Sequence, residues 1–121
     1  HVRYDGGAPR TAVGKAGDRT DASVRAAVDY YVARNGLRAY PDSKSEGKVK
    51  TESYEVPRDA ARTDKPLPVR VITLDGGGHS WPGSVQERRL ADKPFPFDCS
   101  RAILAFFGEL AAAAAPAATP R

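Results

Sequence analysis

The 121-residue sequence predicts an α/β fold, and three observations support this class. A β-branched, almost continuously apolar run over residues 69–74 (VRVITL) is typical of a strand covered on both faces. A glycine-rich segment and then an amphipathic helical pattern follow this run, and another helical pattern lies nearer the N-terminus. A buried strand that leads through a loop to a helix indicates a sheet with flanking helices.

The first helix is predicted over residues 23–36, after a segment rich in Gly, Pro, Asp and Thr that reads as turn and loop. Ser23 or Asp21 can accept hydrogen bonds from the free N–H groups at the helix start. Asn35-Gly36 fits a left-handed stop at the other end. Four residues recur with helical spacing and are expected to form one apolar stripe: Val24, Ala27, Val28 and Tyr31.

The middle of the chain carries weaker signals. Residues 38–48 are polar and predict a loop, whereas residues 48–56 predict a weak, half-exposed strand with Tyr54 and Val56 on one face. Residues 57–68 show no periodicity and predict a loop or hairpin connection to the apolar strand.

The last helix is predicted over residues 98–110, after a charged, proline-rich surface loop, and Asp98 is its expected N-cap. We therefore expect a domain over residues 1–110. The Ala/Pro-rich residues 111–121 are expected to form a disordered tail, with the alanines able to extend the helix by a turn. The helix is expected to present one broad apolar face: Cys99, Ala102, Ile103, Phe106, Phe107 and Leu110.

Composition argues against several classes of function. The net charge is +4, but basic residues are scattered among acidic ones, which favours a solvated surface over nucleic-acid binding. Cys99 is the only cysteine, so no internal disulfide and no Cys/His metal cluster is expected. No apolar run approaches the roughly 20 residues that a membrane span requires. We expect no metal and no cofactor.

The candidate site is the segment LDGGGHSWPG, residues 74–83, which follows the apolar strand directly. Sites in α/β sheets gather at the carboxyl ends of strands, which is where His79 is placed. Glycines let the backbone turn sharply, and an imidazole titrates near neutral pH, which suits it to take and return a proton. His79 is therefore the candidate catalytic residue.

Other interpretations of this segment remain open. The glycines can be only a flexible turn, with His79 a surface residue. Trp81 either packs on a core or forms a wall of a substrate pocket. A phosphate-binding loop is disfavoured because the G-x-G-x-x-G and P-loop patterns are both absent. A metal site is disfavoured because His1 and His79 are the only histidines.

The segment VRVITLDGGGHSWPGS resembles the histidine segment of the polyhydroxybutyrate depolymerase-type esterases. These are α/β-hydrolase serine esterases, related to feruloyl and acetyl-xylan esterases. VRYDGG near the N-terminus, the helix ending in Asn-Gly and the closing helix with paired phenylalanines extend the likeness over about residues 1–110. The resemblance implies the C-terminal portion of an α/β-hydrolase sheet with flanking helices, with His79 as the triad histidine and Trp81 at the substrate.

The same resemblance implies that the chain carries only part of the catalytic machinery. The nucleophile of this family lies in a G-x-S-x-G motif, and none of the seven serines has that context. The matching aspartate is expected upstream of His1, and Asp5 matches a variable acidic position. We therefore expect a fragment of a serine esterase that is inactive alone.

The expected substrate is an ester: a polyester, an oligo-hydroxyacid or a polysaccharide ester. An extracellular or periplasmic location follows from the resemblance. The alternative function is a non-catalytic module that binds a polymer or carbohydrate surface through Trp81 and nearby tyrosines.

Overall fold

The computed structural model describes residues 4–8, 20–58, 67–85 and 93–114. The chain divides into two units, His1–Thr73 and Leu74–Arg121. The first contains helix α1 (Val24–Arg34), strands β1 (Asp42–Glu46) and β2 (Val49–Tyr54), and nearly all of strand β3 (Val69–Leu74). The second contains the end of β3, the glycine-rich loop and helix α2 (Cys99–Ala114).

Helix α1 begins and ends where the sequence predicts. Ser23 is the N-cap, and its hydroxyl accepts a hydrogen bond from the N–H of Ala26. At the other end Gly36 has φ of 62°, and its N–H donates to the Ala33 carbonyl. The N–H of Leu37 donates to the Val32 carbonyl, which completes a Schellman motif with its hydrophobic pair.

The apolar stripe of α1 is rotated from the predicted one. Tyr31 and Ala27 are exposed, whereas Val32 is buried and Val28 packs against it. The stripe therefore follows the i, i+4 spacing of the valines. The core of this unit is small, and its described members lie on α1, on the sheet and on the segments beside them: Val32, Leu37 and Tyr54, with Val28, Val56, Val69 and Val71 against them.

The predicted α/β-hydrolase sheet is wrong for the described residues, which form a three-stranded antiparallel sheet in the order β1-β2-β3. Strand β1 lies where the sequence predicts a loop. It pairs with β2 from Asp42↔Ser53 to Glu46↔Val49, and the two-residue turn Gly47-Lys48 joins them. Parallel strands need a long crossover, usually a helix, and no helix is described between any two of these strands.

Strand β3 has the predicted bounds, but the prediction that both its faces are covered is wrong. All six of its residues are half-buried. Val69 and Val71 pack against the core, and Arg70 Nε donates to the Ser53 hydroxyl on β2 at 3.3 Å. The apolar run therefore marks a strand with one face on a thin core rather than the centre of a large sheet.

Helix α2 extends past Leu110 to Ala114, the extra turn that the alanine run permits. Asp98 is at its start as predicted, and its Oδ1 accepts a hydrogen bond from the N–H of Arg101 at 2.9 Å. The predicted apolar face is only partly covered, because no described residue of α2 is buried. Ile103 and Phe107 are exposed, and the half-buried residues follow one stripe: Cys99, Ala102, Phe106 and Leu110.

Candidate functional site

The loop after β3, residues 75–85, is here called the histidine loop, and it begins with a tight turn. The N–H of Gly77 donates to the Leu74 carbonyl at 3.1 Å, and Gly76 has φ of 83°. The φ of Asp75, at the second position of this turn, is not positive. A positive φ at the third position alone is type II geometry, which favours glycine there. Of the three successive glycines, Gly76 is the one that has a positive φ.

A second type II turn closes the loop two residues after His79. The N–H of Ser84 donates to the Trp81 carbonyl at 3.1 Å, and Gly83 has φ of 80°. Pro82 precedes that glycine, and its ring fixes φ at the value that this position of the turn requires. His79 and Ser80 are thus carried on a short segment between two turns of defined geometry.

The second turn is attached to the segment that leads into α2. The Gly83 N–H donates to the Phe95 carbonyl at 3.0 Å. A Cβ on Gly83 would lie 2.7 Å from the Phe97 carbonyl oxygen and 2.9 Å from the Asp98 Cα. Glycine is therefore required here twice, for its positive φ and for the close approach of two backbones.

A side-chain hydrogen bond joins the loop to the helix itself. The indole Nε1–H of Trp81 donates to the hydroxyl of Ser100 at 3.1 Å, across 19 positions of sequence. Ser100 is the second residue of α2 and lies within the first turn, which Asp98 caps. Trp81 is nevertheless 54% exposed, so its ring is not enclosed in a core.

The structure places both predicted site residues on the histidine loop. His79 is exposed and lies five residues after Leu74, the last residue of β3. The sequence predicts it at the carboxyl end of a strand in an α/β sheet, whereas the sheet of the described residues is antiparallel. An exposed imidazole on a loop of fixed geometry can exchange a proton with a group brought against it. Ser80 is half-buried. Its side chain and that of His79 belong to consecutive residues, which makes it a poor nucleophile for this histidine.

Asp5, which matches a variable acidic position in the resemblance, lies in an exposed turn before α1. The Tyr4 carbonyl beside it accepts from the N–H of Val24, and Gly7 pairs with Asp21 through two backbone hydrogen bonds. These contacts give the Asp5 segment a structural role at the start of α1. His1 lies outside the described residues.

Residues 4–8, 20–58, 67–85 and 93–114 contain no group of three or more His, Cys, Asp or Glu side chains that could hold a metal ion. Over the same ranges, no helix has the length and hydropathy needed to cross a membrane.

Sequence reasoning missed Ser100 as a partner of the loop. The eighteen residues between it and Trp81 carry no signal that would predict the contact. An N-cap aspartate two positions earlier indicates where the helix starts, but not what lies against its first turn.

Comparisons with models of protein families, with curated proteins and with solved structures give no match to this chain.

Proposed function

We propose that this chain is the histidine-bearing part of a serine carboxylic-ester hydrolase, with His79 as its general base and acid. The observation that carries the proposal is the presentation of His79, which is exposed, on a loop after β3 that is held by two type II turns. A proton-transfer group needs such fixed placement together with access to the reacting atoms. The residue pattern GGGHSWPG, which resembles the histidine segment of a known esterase family, supports the same role.

In the proposed reaction a serine outside this sequence attacks the ester carbonyl. The His79 imidazole takes the proton from the serine oxygen, and the tetrahedral intermediate then collapses to an acyl-serine. The imidazolium gives its proton to the departing alkoxide, which leaves as the alcohol. Water deprotonated by His79 attacks the acyl-serine, and the carboxylic acid is released with the serine restored. A carboxylate, also outside this sequence, orients the imidazole.

Trp81 supports the proposal as a surface for the substrate. Trp81 lies two residues after His79 and is more than half exposed. Its indole N–H and its backbone carbonyl both form hydrogen bonds, which restrain the residue. An exposed, restrained indole can contact an apolar acyl or aromatic group at low entropic cost. This suits polyester, oligo-hydroxyacid and aromatic ester substrates alike.

The experiment uses the complete coding region around this sequence. We expect it to encode a Gly-x-Ser-x-Gly segment followed by an aspartate before residue 1, and its product to hydrolyse nitrophenyl esters. His79→Ala should lower turnover in that product by at least about a thousandfold, since a triad works as a unit. His1→Ala, which removes the other histidine of these 121 residues, is the control and should retain activity. A product without such a serine, or with activity that survives His79→Ala, overturns the proposal.

The exposed ring of Trp81 also favours a second candidate, a non-catalytic module for a polymer or carbohydrate surface. A polymer-binding experiment distinguishes this function from the esterase function. The binding module predicts that the 121-residue chain is retained on cellulose, xylan or polyhydroxybutyrate. Trp81→Ala should then abolish retention, and His79→Ala should leave it intact. Tyr40→Ala is the control, because Tyr40 is exposed and lies in the other unit.

A further inference from the structure

We propose that Ser100 is a positioning residue for His79, acting through its hydrogen bond to Trp81. The inference rests on the proposed function, because it assigns a role in placing the catalytic imidazole. Ser100 belongs to α2, whereas Trp81 belongs to the histidine loop, and the 3.1 Å bond between them is a direct side-chain link from loop to helix.

The site of attachment on the loop determines what the bond controls. Trp81 is the first residue of the second type II turn and lies two residues after His79. Its carbonyl is held by the Ser84 N–H, so the turn fixes the backbone of Trp81 while the indole bond fixes its side chain. Restraint at both points limits the positions that the backbone of residues 79–80 can adopt.

The site of attachment on the helix gives the bond a rigid base. Ser100 lies in the first turn of α2, between the N-cap Asp98 and Arg101. The Asp98 carboxylate accepts a hydrogen bond from the N–H of Arg101. The Asp98 carbonyl accepts from the N–H of Ala102 in the first backbone bond of the helix. A serine hydroxyl on a capped helical turn is held in place, whereas an acceptor on an unrestrained loop is not.

Glycine at position 83 complements this bond. Gly83 brings the loop backbone to within van der Waals contact of residues 97–98, and its N–H donates to the Phe95 carbonyl. The backbone contact holds the end of the turn, and the Trp81–Ser100 bond holds its beginning. The histidine loop is therefore attached to the start of α2 at two points rather than one.

The test uses the full 121-residue chain and two magnetic resonance signals. Trp81 is the only tryptophan, so its indole Nε1–H gives a single signal, and the His79 Cε1–H signal is assigned with a His1→Gln variant. We expect Ser100→Ala to shift both signals. It should also speed hydrogen exchange of the indole proton roughly fivefold to tenfold, because one hydrogen bond is lost. Ser100→Thr keeps the hydroxyl and should leave both signals near their original positions.

Three outcomes of the magnetic resonance experiment overturn the proposal. An indole signal unmoved by Ser100→Ala shows that the bond does not form. A shifted indole signal with an unmoved His79 signal shows that Ser100 holds Trp81 but does not position the imidazole. Equal behaviour of the Ala and Thr variants shows that the hydroxyl has no part in the effect. Far-UV circular dichroism of each variant must retain the helical signal, and Trp81→Phe, which removes the donor, should reproduce the Ser100→Ala shift at His79.

An activity measurement in the complete gene product separates this proposal from the proposed function. Ser100→Ala is expected to lower kcat about fivefold to tenfold with little change in KM, and Ser100→Thr to restore it. Full activity of His79→Ala would reject the esterase function. A normal kcat for Ser100→Ala, in a product that His79→Ala inactivates, would reject only the positioning role.

Discussion

The Arg25 guanidinium donates a hydrogen bond from Nη2 to the hydroxyl of Tyr54 at 2.7 Å and lies 5.7 Å from the centroid of the same ring. Tyr54 is the most buried large side chain described in the structure, with 1% of its surface exposed. Arg25 also pairs with Asp29 one turn along α1. The bond to Tyr54 is the main cause that raises the pKa of Arg25. The Arg25 guanidinium on α1 thus provides a hydrogen-bond donor for the hydroxyl of the buried Tyr54.

Removal of the Tyr54 hydroxyl should measure this link. Tyr54→Phe is expected to lower the free energy of unfolding by about 1 kcal/mol, the net value of one hydrogen bond. Arg25→Met should cost at least as much, because it leaves the phenol buried without this donor. Urea unfolding of both variants and of the double variant gives the coupling between them. Tyr40→Phe is the control, since Tyr40 is 87% exposed and its hydroxyl should contribute little.

Local signals account for the parts of the fold that the sequence predicts. Ser23 and Asp98 cap their helices because a short polar side chain reaches the free N–H groups within three residues. Gly36 ends α1 because its φ of 62° is open to glycine. The bounds of β3 follow from a run of apolar, β-branched residues. Each of these features depends on fewer than ten consecutive positions.

The features that the sequence does not predict depend on distant positions. Strand β1 has the sequence DSKSE, with no apolar residue, and it forms because β2 supplies a ladder of hydrogen bonds. An antiparallel sheet replaced the expected α/β-hydrolase sheet for the same reason, since pairing is decided between strands and not within one. The candidate site divides likewise: His79 and Trp81 are visible in the loop sequence, but the contact of Trp81 with Ser100 is not.

Two glycines of the histidine loop should respond differently to alanine. Gly83→Ala combines a strained φ of 80° with a Cβ placed 2.7 Å from the Phe97 carbonyl oxygen, so the turn must move away from α2. Gly76→Ala meets a similar φ of 83° but has no neighbour within 4 Å. We expect Gly76→Ala to cost about 1 kcal/mol of stability and Gly83→Ala clearly more. Equal losses in urea unfolding would contradict the close approach of the two backbones.

Gly108 offers a stabilising substitution. It lies within α2, where a Cβ would meet nothing within 4 Å, and its φ is not positive. Gly108→Ala should therefore stabilise the helix by about 0.5–1 kcal/mol, since alanine loses less backbone entropy on folding. Thermal unfolding followed by far-UV circular dichroism measures the gain. A loss of stability would show that the Gly108 face of α2 is occupied by another group.

The hairpin of β1 and β2 carries a testable pH dependence. Lys44 Nζ lies 2.6 Å from Glu46 Oε1, and this ion pair lowers the pKa of Glu46 and raises the pKa of Lys44. The contribution of Glu46 to stability is present above its unfolded pKa and is lost as the pH falls through its lower folded pKa. The contribution of Lys44 is lost as the pH rises through its raised folded pKa. Magnetic resonance titration should show the Glu46 pKa move back up in Lys44→Gln.

Lys50→Gln is the matched control for that titration. Lys50 forms its own ion pair on β2, at 3.2 Å from Glu52. Its substitution should therefore leave the Glu46 titration unchanged. A Glu46 pKa that responds equally to both substitutions would indicate a general charge effect of the hairpin rather than a specific pair. Added salt should weaken the Lys44 effect, because both partners are exposed.

The 121-residue chain alone should not hydrolyse esters by the proposed mechanism. A histidine without its serine has no nucleophile to activate, and no serine of this sequence has the G-x-S-x-G context. Incubation with nitrophenyl acetate should therefore release nitrophenol slowly, and His79→Ala should change the rate no more than His1→Ala does. Any accessible imidazole reacts slowly with activated esters, wherever it lies in the chain. Saturable turnover that His79→Ala abolishes and His1→Ala preserves would show that one of the seven serines acts as nucleophile after all. Individual Ser→Ala variants, with Ser80 and Ser84 of the histidine loop first, would then identify it.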